Sequence, residues 1–145
     1  MKTLVIGAAI IDIIMKIKRL PKSGEDILCS ETVSAVGGCA YNVAGTLRGF
    51  GVDHDLFVPV GRGMYGDMIA GDLEKLGYQI LIREEESDNG YCLCLVEEDG
   101  ERTFITVKGA EGRFRPSWFE QLSQDAYDSI YVAGYQVCGT SGGVI

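Results

Sequence analysis

A near-continuous run of apolar and β-branched residues, Thr3–Ile11, constrains the fold of this chain more than any other feature. Such a run is typical of a strand that is buried on both faces, as the strands of parallel sheets are. Apolar residues then alternate over Ile13–Lys18, which predicts that the chain stays extended. Because a sheet buried on both faces must be covered by helices, the run predicts an α/β protein.

Helical and strand-like segments alternate along the rest of the chain. Ala40, Val43, Ala44 and Leu47 recur with helical spacing and form one apolar stripe, which predicts a helix over Cys39–Phe50. A second helix is predicted at Asp67–Leu76, and strands are predicted at Asp26–Val36, Leu56–Val60, Tyr78–Ile82 and Ser129–Val137. This order predicts βαβ units around a parallel sheet.

An antiparallel insertion interrupts the alternation. Gly90–Glu97 and Glu101–Val107 have a period of two and flank Asp99-Gly100, a strong hairpin signal. Pro116 then predicts the start of a short helix, and Ser117 with Glu120 has the spacing of a capping box. The glycine-rich segment at the C-terminus would normally lead into a helix, so we expect the chain to be the N-terminal portion of a larger α/β unit.

Net charge excludes two classes of partner. The 145 residues carry 13 Lys and Arg against 21 Asp and Glu, a formal net charge of −8. Nucleic acids and anionic membrane surfaces need a basic face, so neither is an expected partner. The N-terminal apolar run is also too short to span a bilayer, which takes about 20 residues.

The cysteine and histidine content argues against a zinc site and against disulfides. The five cysteines are odd in number and include no C-x-x-C pair, and the chain has a single histidine. We therefore expect reduced thiols and a cytoplasmic protein.

The pair Gly37-Gly38 before the first predicted helix is the most informative motif. Two glycines allow a ligand to approach the backbone closely, and the free N–H groups of a helix N-terminus follow them. Asn42, in the first turn, can donate to and accept from a hydroxyl. The segment therefore suits a polyhydroxylated small molecule, although an ordinary strand–helix turn with Asn42 at the surface explains it as well.

Asp12 is a second candidate for ligand binding. It follows the predicted first strand, and ligands of open α/β sheets bind at the carboxyl ends of strands. A carboxylate there can accept two hydrogen bonds from sugar hydroxyls. The alternative is a structural aspartate that pairs with N–H groups of a loop.

Two further glycine motifs have weaker interpretations. Gly61–Gly66 matches G-x-G-x-x-G between a predicted strand and a helix, with Glu84 beyond it, as in dinucleotide-binding folds. Gly139–Gly143 matches the G-x-S-x-G of a nucleophile elbow, but no acid and histidine follow it. The first match leaves a dinucleotide-dependent oxidoreductase open as an alternative, whereas the second is accidental unless further chain supplies both partners.

Several segments occur in a characteristic order: the strand leading to Asp12, Leu20–Glu25 as a P-x-x-G-E segment, Gly37-Gly38 with Asn42-Val43-Ala44, Val60-Gly61 with Gly66, and the hairpin Gly90–Val107. In this order the chain resembles the N-terminal half of the PfkB/ribokinase family of sugar and nucleoside kinases. The likeness covers nearly the whole chain, and G-G-x-x-x-N-x-A is the family's first signature.

The resemblance implies a ribokinase-like three-layer α/β/α core with a small β-sheet lid, truncated after its N-terminal half. The chain 1–145 would be the substrate-binding half, with lid segments at about 13–36 and 90–108. Family members transfer phosphate from ATP to a hydroxymethyl group, with Mg²⁺ and in some cases a monovalent cation. Asp12, Gly37, Gly38 and Asn42 would contact the sugar, and the lids would pair in a homodimer.

The chain also departs from the family pattern. Cys39, Ala40 and Tyr41 stand where many ribokinase-like members have Lys-Gly-Ala, which argues against ribose itself. Tyr41 could stack on a base or sugar face, so a nucleoside such as pseudouridine is a candidate substrate.

The family's G-A-G-D segment, with the catalytic base, is not in this sequence. We therefore expect no catalytic residue, ATP site or metal site in this chain, and no activity from it alone. A non-catalytic module that binds a small metabolite remains the alternative from another class.

Overall fold

The chain forms two main sheets, one parallel and one mixed. A computed structural model describes residues 1–138 and 143. Its strands and helices, in chain order, are β1 (Thr3–Ile6), β2 (Ile10–Lys16), β3 (Glu31–Gly37), α1 (Cys39–Gly49), β4 (His54–Phe57), β5 (Pro59–Val60), α2 (Met64–Lys75), β6 (Ile82–Arg83), β7 (Tyr91–Val96), β8 (Arg102–Val107), α3 (Pro116–Phe119), β9 (Ser129–Val132) and α4 (Gly134–Val137).

The central sheet is parallel, and its middle strand β1 is buried on both faces, whereas the edge strand β9 is mostly exposed. Its order is β4-β1-β9, and a short parallel pair, β5-β6, continues the chain beyond β4. Val5 and Leu56 point to the face that α1 and α2 cover, whereas Leu4, Ile6 and Phe57 point to the other face. Phe114, Trp118 and Phe119 of the α3 region pack on that second face, which gives three layers.

A second sheet, which we call the outer sheet, has the order β3-β2-β7-β8. Strand β2 pairs antiparallel with β3 and parallel with β7, and β7 pairs antiparallel with β8. The hairpin predicted around Asp99-Gly100 is confirmed, and Gly100 has a φ of 90°, which favours glycine. The four strands therefore bring together the segments that the sequence predicts as lid.

The N-terminal run was predicted as one strand, and this was wrong. The chain leaves the central sheet at Gly7 and enters the outer sheet at Ile10. A Cβ atom at Gly7 would lie 2.8 Å from the Cβ atoms of both Ala40 and Ala133, so the chain passes closely between α1 and the end of β9. One uninterrupted apolar run thus supplies strands to two different sheets.

Three other strand predictions were too long. The predicted strand 26–36 begins at Glu31, after a loop in which Arg19 and Glu25 form an ion pair. Only Ile82 of the predicted strand 78–82 is in a sheet, because the N–H of Tyr78 donates to Leu73 O and ends α2. The predicted strand 129–137 stops at Val132, and a helical turn follows.

The helix predictions are confirmed for α1 and α2, but the capping box was wrong. Ala40 and Ala44 are buried against the central sheet, with Val43 and Leu47 packed beside them, as the apolar stripe predicts. Helix α3 has Arg115, not Ser117, at its N-cap, and no side chain caps it.

Within residues 1–138, no helix combines the length and the apolar character needed to cross a bilayer. All five cysteine thiols are free.

Candidate substrate site

Asp12 lies within β2 of the outer sheet, not beyond a strand of the central sheet. Its register partners are Ala35 on β3 and Cys92 on β7. No side chain or backbone group in the described part of the chain forms a hydrogen bond or an ion pair with its carboxylate. Burial raises the pKa of the Asp12 carboxyl above its ordinary value of 3.8. A partly buried carboxylate without a partner retains its capacity to accept hydrogen bonds from a ligand.

Gly37 and Gly38 provide the close approach that the sequence predicts. Gly37 ends β3, and its Cα atom lies against the Asp12 carboxylate, where a side chain would collide with it. Gly38 has a φ of 104°, and a Cβ atom there would lie 2.6 Å from Ala8 O. The backbone can therefore turn from β3 into α1 only with glycine at 38.

Helix α1 begins directly at this turn. Gly38 is its N-cap, and no side chain caps the helix. Asn42 is exposed on the first turn, and its backbone N–H donates to Gly38 O at 3.0 Å. The unpaired N–H groups of this turn give the helix end a partial positive charge. The structure thus brings Asp12 into contact with Gly37, and Gly38 into contact with Asn42.

Tyr41 is engaged elsewhere. Its hydroxyl donates to Asp72 Oδ2 on α2 at 2.5 Å, and its ring packs against the hydrophobic core. Burial and the Asp72 carboxylate together raise the pKa of Tyr41 to about 12. The structure therefore connects Tyr41 to α2 through its hydroxyl, and does not bring that hydroxyl to Asp12.

Two shallow cavities lie on either side of Tyr41. One, of about 380 Å³, is lined by Tyr41, Asn42, Gly45, Thr46, Arg48, Leu76 and Tyr78. The other, of about 490 Å³, is lined by residues of β3 and α2 around Asp67 and Asp72. Asp12 does not line either of these two cavities.

The motif Gly61–Gly66 has a structural explanation, and the dinucleotide interpretation was wrong. Asp88 accepts hydrogen bonds from the N–H groups of Tyr65 at 3.2 Å and Gly66 at 2.6 Å, so its carboxylate occupies the N-terminus of α2. A pyrophosphate would need the same N–H groups. Gly63, with a φ of 139°, leaves the room that the Asp88 side chain fills.

Other predicted features lie outside this region. Of Gly139–Gly143, the structure describes only Gly143. Among the described residues, no three His, Cys, Asp or Glu side chains form a cluster that could hold a metal ion. Sequence reasoning missed three polar side chains. Asp88 accepts hydrogen bonds at the N-terminus of α2, and Asn89 and Glu111 bond to backbone groups where strands of the outer sheet leave the core. The local signal for them was an Asp-Asn-Gly before a strand.

Comparison with known proteins decides the family. The model of the pfkB family of carbohydrate kinases matches residues 1–142. The chain belongs to the pfkB family. Within that family it is 39% identical, over 96% of its length, to the uncharacterized sugar kinase YegV of Escherichia coli, of which it covers 43%.

Solved ribokinase structures show the same fold. Ribokinase from Giardia lamblia superposes with a TM-score of 0.83 at 24% identity, over 92% of this chain and 45% of that one. Arabidopsis thaliana ribokinase, solved with ribose and ATP, gives a TM-score of 0.73 at 24% identity, with the same two coverages. The predicted ribokinase-like α/β fold is confirmed. The chain spans less than half the length of the relatives it matches.

Proposed function

We propose that this chain is the substrate-binding half of an ATP-dependent kinase that phosphorylates a hydroxymethyl group of a neutral sugar or nucleoside. The observation that carries the proposal is the Asp12 carboxylate, which is partly buried, has no partner among the described residues and lies against Gly37. Keeping such a group unpaired costs stability, and this cost is expected at a site that binds a ligand.

The charge of the site favours a neutral polyol. A carboxylate accepts hydrogen bonds, so vicinal hydroxyl groups are its natural partners. None of the ion pairs formed by the described residues brings a lysine or arginine to Asp12, and the net charge of the chain is −8. A substrate that already carries a phosphate would therefore be repelled here.

Gly38 and Asn42 complete the proposed substrate contacts. The backbone at Gly38 can approach a sugar ring, and the Asn42 amide can both donate to and accept from a hydroxyl. Because the hydroxyl of Tyr41 is bound to Asp72, a contribution from Tyr41 would come from its ring, stacking on a sugar or a base.

The outer sheet is the proposed lid, made of segments 13–36 and 90–108. Asp12 sits on β2, so a movement of the sheet toward the core would carry this carboxylate with it. Closure over bound substrate would exclude water and keep the phosphoryl group from being hydrolysed.

The proposed reaction joins the γ-phosphorus of ATP to the hydroxymethyl oxygen of the substrate. The bond between that phosphorus and the β–γ bridging oxygen breaks, ADP leaves, and the hydroxyl proton passes to a base. Asp88 occupies the N–H groups that a phosphate would need at the N-terminus of α2, and the sequence contains no G-A-G-D segment. We therefore assign ATP, Mg²⁺, any monovalent cation and the base to further chain, and expect the 145-residue chain alone to be inactive.

A cytoplasmic homodimer that pairs through the lids completes the proposal. Exposed apolar side chains on the outer sheet support the pairing, since Phe104 is 59% and Ile105 53% exposed on the edge strand β8. A sedimentation measurement should give a dimer, and Phe104→Ser together with Ile105→Ser should give a monomer. A wild-type monomer would contradict the pairing.

A chimaera tests the proposed activity. This chain would replace the matching segment of the Escherichia coli relative, and the product would be assayed with ATP and a panel of neutral sugars and nucleosides. We expect Asp12→Asn to lower kcat/KM by about 100-fold, and Asp125→Asn, which is exposed and outside the proposed lid, to leave it unchanged. A folded but inactive chimaera, full activity of the Asp12→Asn variant, or phosphate transfer by the 145-residue chain alone would contradict the proposal.

A further inference from the structure

All four strands of the outer sheet meet the core at the same end of that sheet. The registers place Ile10, which begins β2, opposite Gly37, which ends β3. They also place Tyr91, which begins β7, opposite Val107, which ends β8. The other end, with the loop 17–30 and the turn at Asp99-Gly100, is the free tip. Four chain crossings, which we call the base of the outer sheet, therefore connect the sheet to the core.

Asn89 ties two of these crossings to the core. The side chain is 3% exposed, and its Oδ1 accepts a hydrogen bond from the N–H of Gly61 at 2.7 Å. Its Nδ2 donates to Pro59 O, next to the central sheet, at 2.9 Å. The same nitrogen donates to Ala9 O, at the entrance to β2, at 3.2 Å. One buried amide thus joins the crossings of β2 and β7 to β5.

Glu111 ties the crossings of β7 and β8 together. The side chain is 4% exposed and accepts hydrogen bonds from Gly90 N at 2.8 Å and Gly109 N at 2.9 Å. Gly90 precedes β7, and Gly109 follows β8. A Cβ atom at Gly109 would lie within 3 Å of the backbone at 88–90, so the two crossings are packed backbone against backbone.

Asp12 lies next to these contacts along β2. The N–H of Ile11, next to Asp12 on β2, donates to Gly90 O at 3.2 Å. Gly90 is held by Glu111, and the entrance to β2 is held by Asn89. Neither Asn89 nor Glu111 forms a hydrogen bond with the fourth crossing, at Gly37-Gly38. Asn89 and Glu111 therefore hold three of the four crossings.

We propose that Asn89 and Glu111 are positioning residues, which lock the base of the outer sheet to the core and thereby fix where Asp12 lies relative to α1. Buried polar side chains with all their bonds made to backbone groups specify one arrangement of the elements they join. The lock makes no contact with the proposed substrate residues themselves, and its test requires no substrate.

The test compares Glu111→Gln with Glu98→Gln in the 145-residue chain. Both remove one negative charge, but Glu98 is exposed in the turn at the free tip. In Glu111→Gln, the side chain would keep one acceptor oxygen, and its NH₂ group would face a backbone N–H, so one of the two hydrogen bonds would be lost. By amide hydrogen exchange, we expect strands of the outer sheet to exchange about tenfold faster in Glu111→Gln, with β1 and β4 within about twofold of wild type. Glu98→Gln should change neither.

A second readout follows Asp12 itself. If the sheet moves from the core, water reaches the Asp12 carboxyl, and its pKa should fall back toward 3.8 in a carbon-detected NMR titration. Equal acceleration of exchange in both sheets, no acceleration, or an unchanged Asp12 titration would overturn the proposal.

If Glu111→Gln does not fold, the same two measurements on Asn89→Ser decide, since this variant removes the amide that bonds to Ala9, Pro59 and Gly61 and leaves the buried Glu111 unchanged. Neither measurement involves substrate. A negative result would therefore overturn the positioning role of Asn89 and Glu111 without bearing on the proposed kinase function, which the chimaera tests.

Discussion

The Asp12 carboxylate lies against the Cα atom of Gly37, in the space that a side chain at position 37 would occupy. The two residues are on neighbouring strands, yet they are not register partners, because Gly37 pairs with Ile10. Asp12, which is proposed to bind the substrate, therefore contacts the glycine pair by van der Waals packing, without a hydrogen bond.

This contact predicts a selective effect of Gly37→Ala. The new methyl group would displace the carboxylate, which is the far end of a side chain, so the fold should survive while ligand binding is lost. Gly45→Ala is the matched control, since a Cβ atom on that face of α1 meets nothing within 4 Å. It should raise the free energy of unfolding by about 0.5–1 kcal/mol. Thermal unfolding with a binding titration measures both; unimpaired binding by Gly37→Ala would contradict the contact.

The raised pKa of Asp12 predicts that this residue costs stability at neutral pH. Because burial raises the pKa in the folded state above 3.8, the native state binds more protons than the unfolded state, and the contribution of Asp12 to stability falls as pH rises through and above that value. Asp12→Asn should therefore be more stable than wild type at pH 7, with the difference shrinking below pH 3.8. Denaturant unfolding at both pH values measures this. A variant less stable than wild type at pH 7 would mean that Asp12 has a structural partner.

Some of the fold could be predicted from the sequence because its causes are local. The apolar stripe of α1 and the turn at Asp99-Gly100 depend on residues within a few positions of each other. The break at Gly7 could not be predicted, since Ala8 and Ala9 continue the apolar run without interruption. What ends β1 there is contact with Ala40 and Ala133, both far along the chain.

The site was predicted in part for the same reason. Gly37-Gly38 and Asn42 form a short motif that can be recognised locally. Gly61–Gly66 was misinterpreted because the side chain that fills it, Asp88, lies more than twenty positions away. A glycine pattern shows that something approaches the backbone closely, but not whether it is a ligand or another side chain.

The cap that Asp88 provides predicts a loss of stability on its removal. Its carboxylate accepts hydrogen bonds from Tyr65 N, Gly66 N and Asn89 N. Asp88→Ala should cost about 1–2 kcal/mol, as loss of an N-cap does. The melting temperature should fall by about 3–8 °C. Asp26→Ala, in an exposed loop, serves as control; equal melting temperatures for the two variants would argue against the cap.

The loop before β3 should have an unusual acid titration. Arg19 and the N–H of Lys22 both hydrogen-bond to Glu25, which lowers the pKa of its carboxyl to about 2. A lowered pKa in the folded state means that the contribution of Glu25 is present above pH 4.5 and is lost as pH falls through about 2. An NMR titration of Glu25 should show this midpoint, and Arg19→Gln should move it upward. A wild-type midpoint near 4.5 would show that the ion pair does not form in solution.

Binding of a neutral polyol at Asp12 is the central claim, and an NMR titration of the ¹⁵N-labelled 145-residue chain tests it most directly. D-ribose, pseudouridine and a panel of other neutral sugars and nucleosides would be added in turn. We predict that at least one of them shifts the amide signals of Asp12, Gly38 and Asn42. Asp12→Asn should abolish the shifts, while Asp125→Asn, exposed and outside the proposed lid, should retain them. Binding that is unaffected by Asp12→Asn, or no binding by any compound of the panel, would contradict the account.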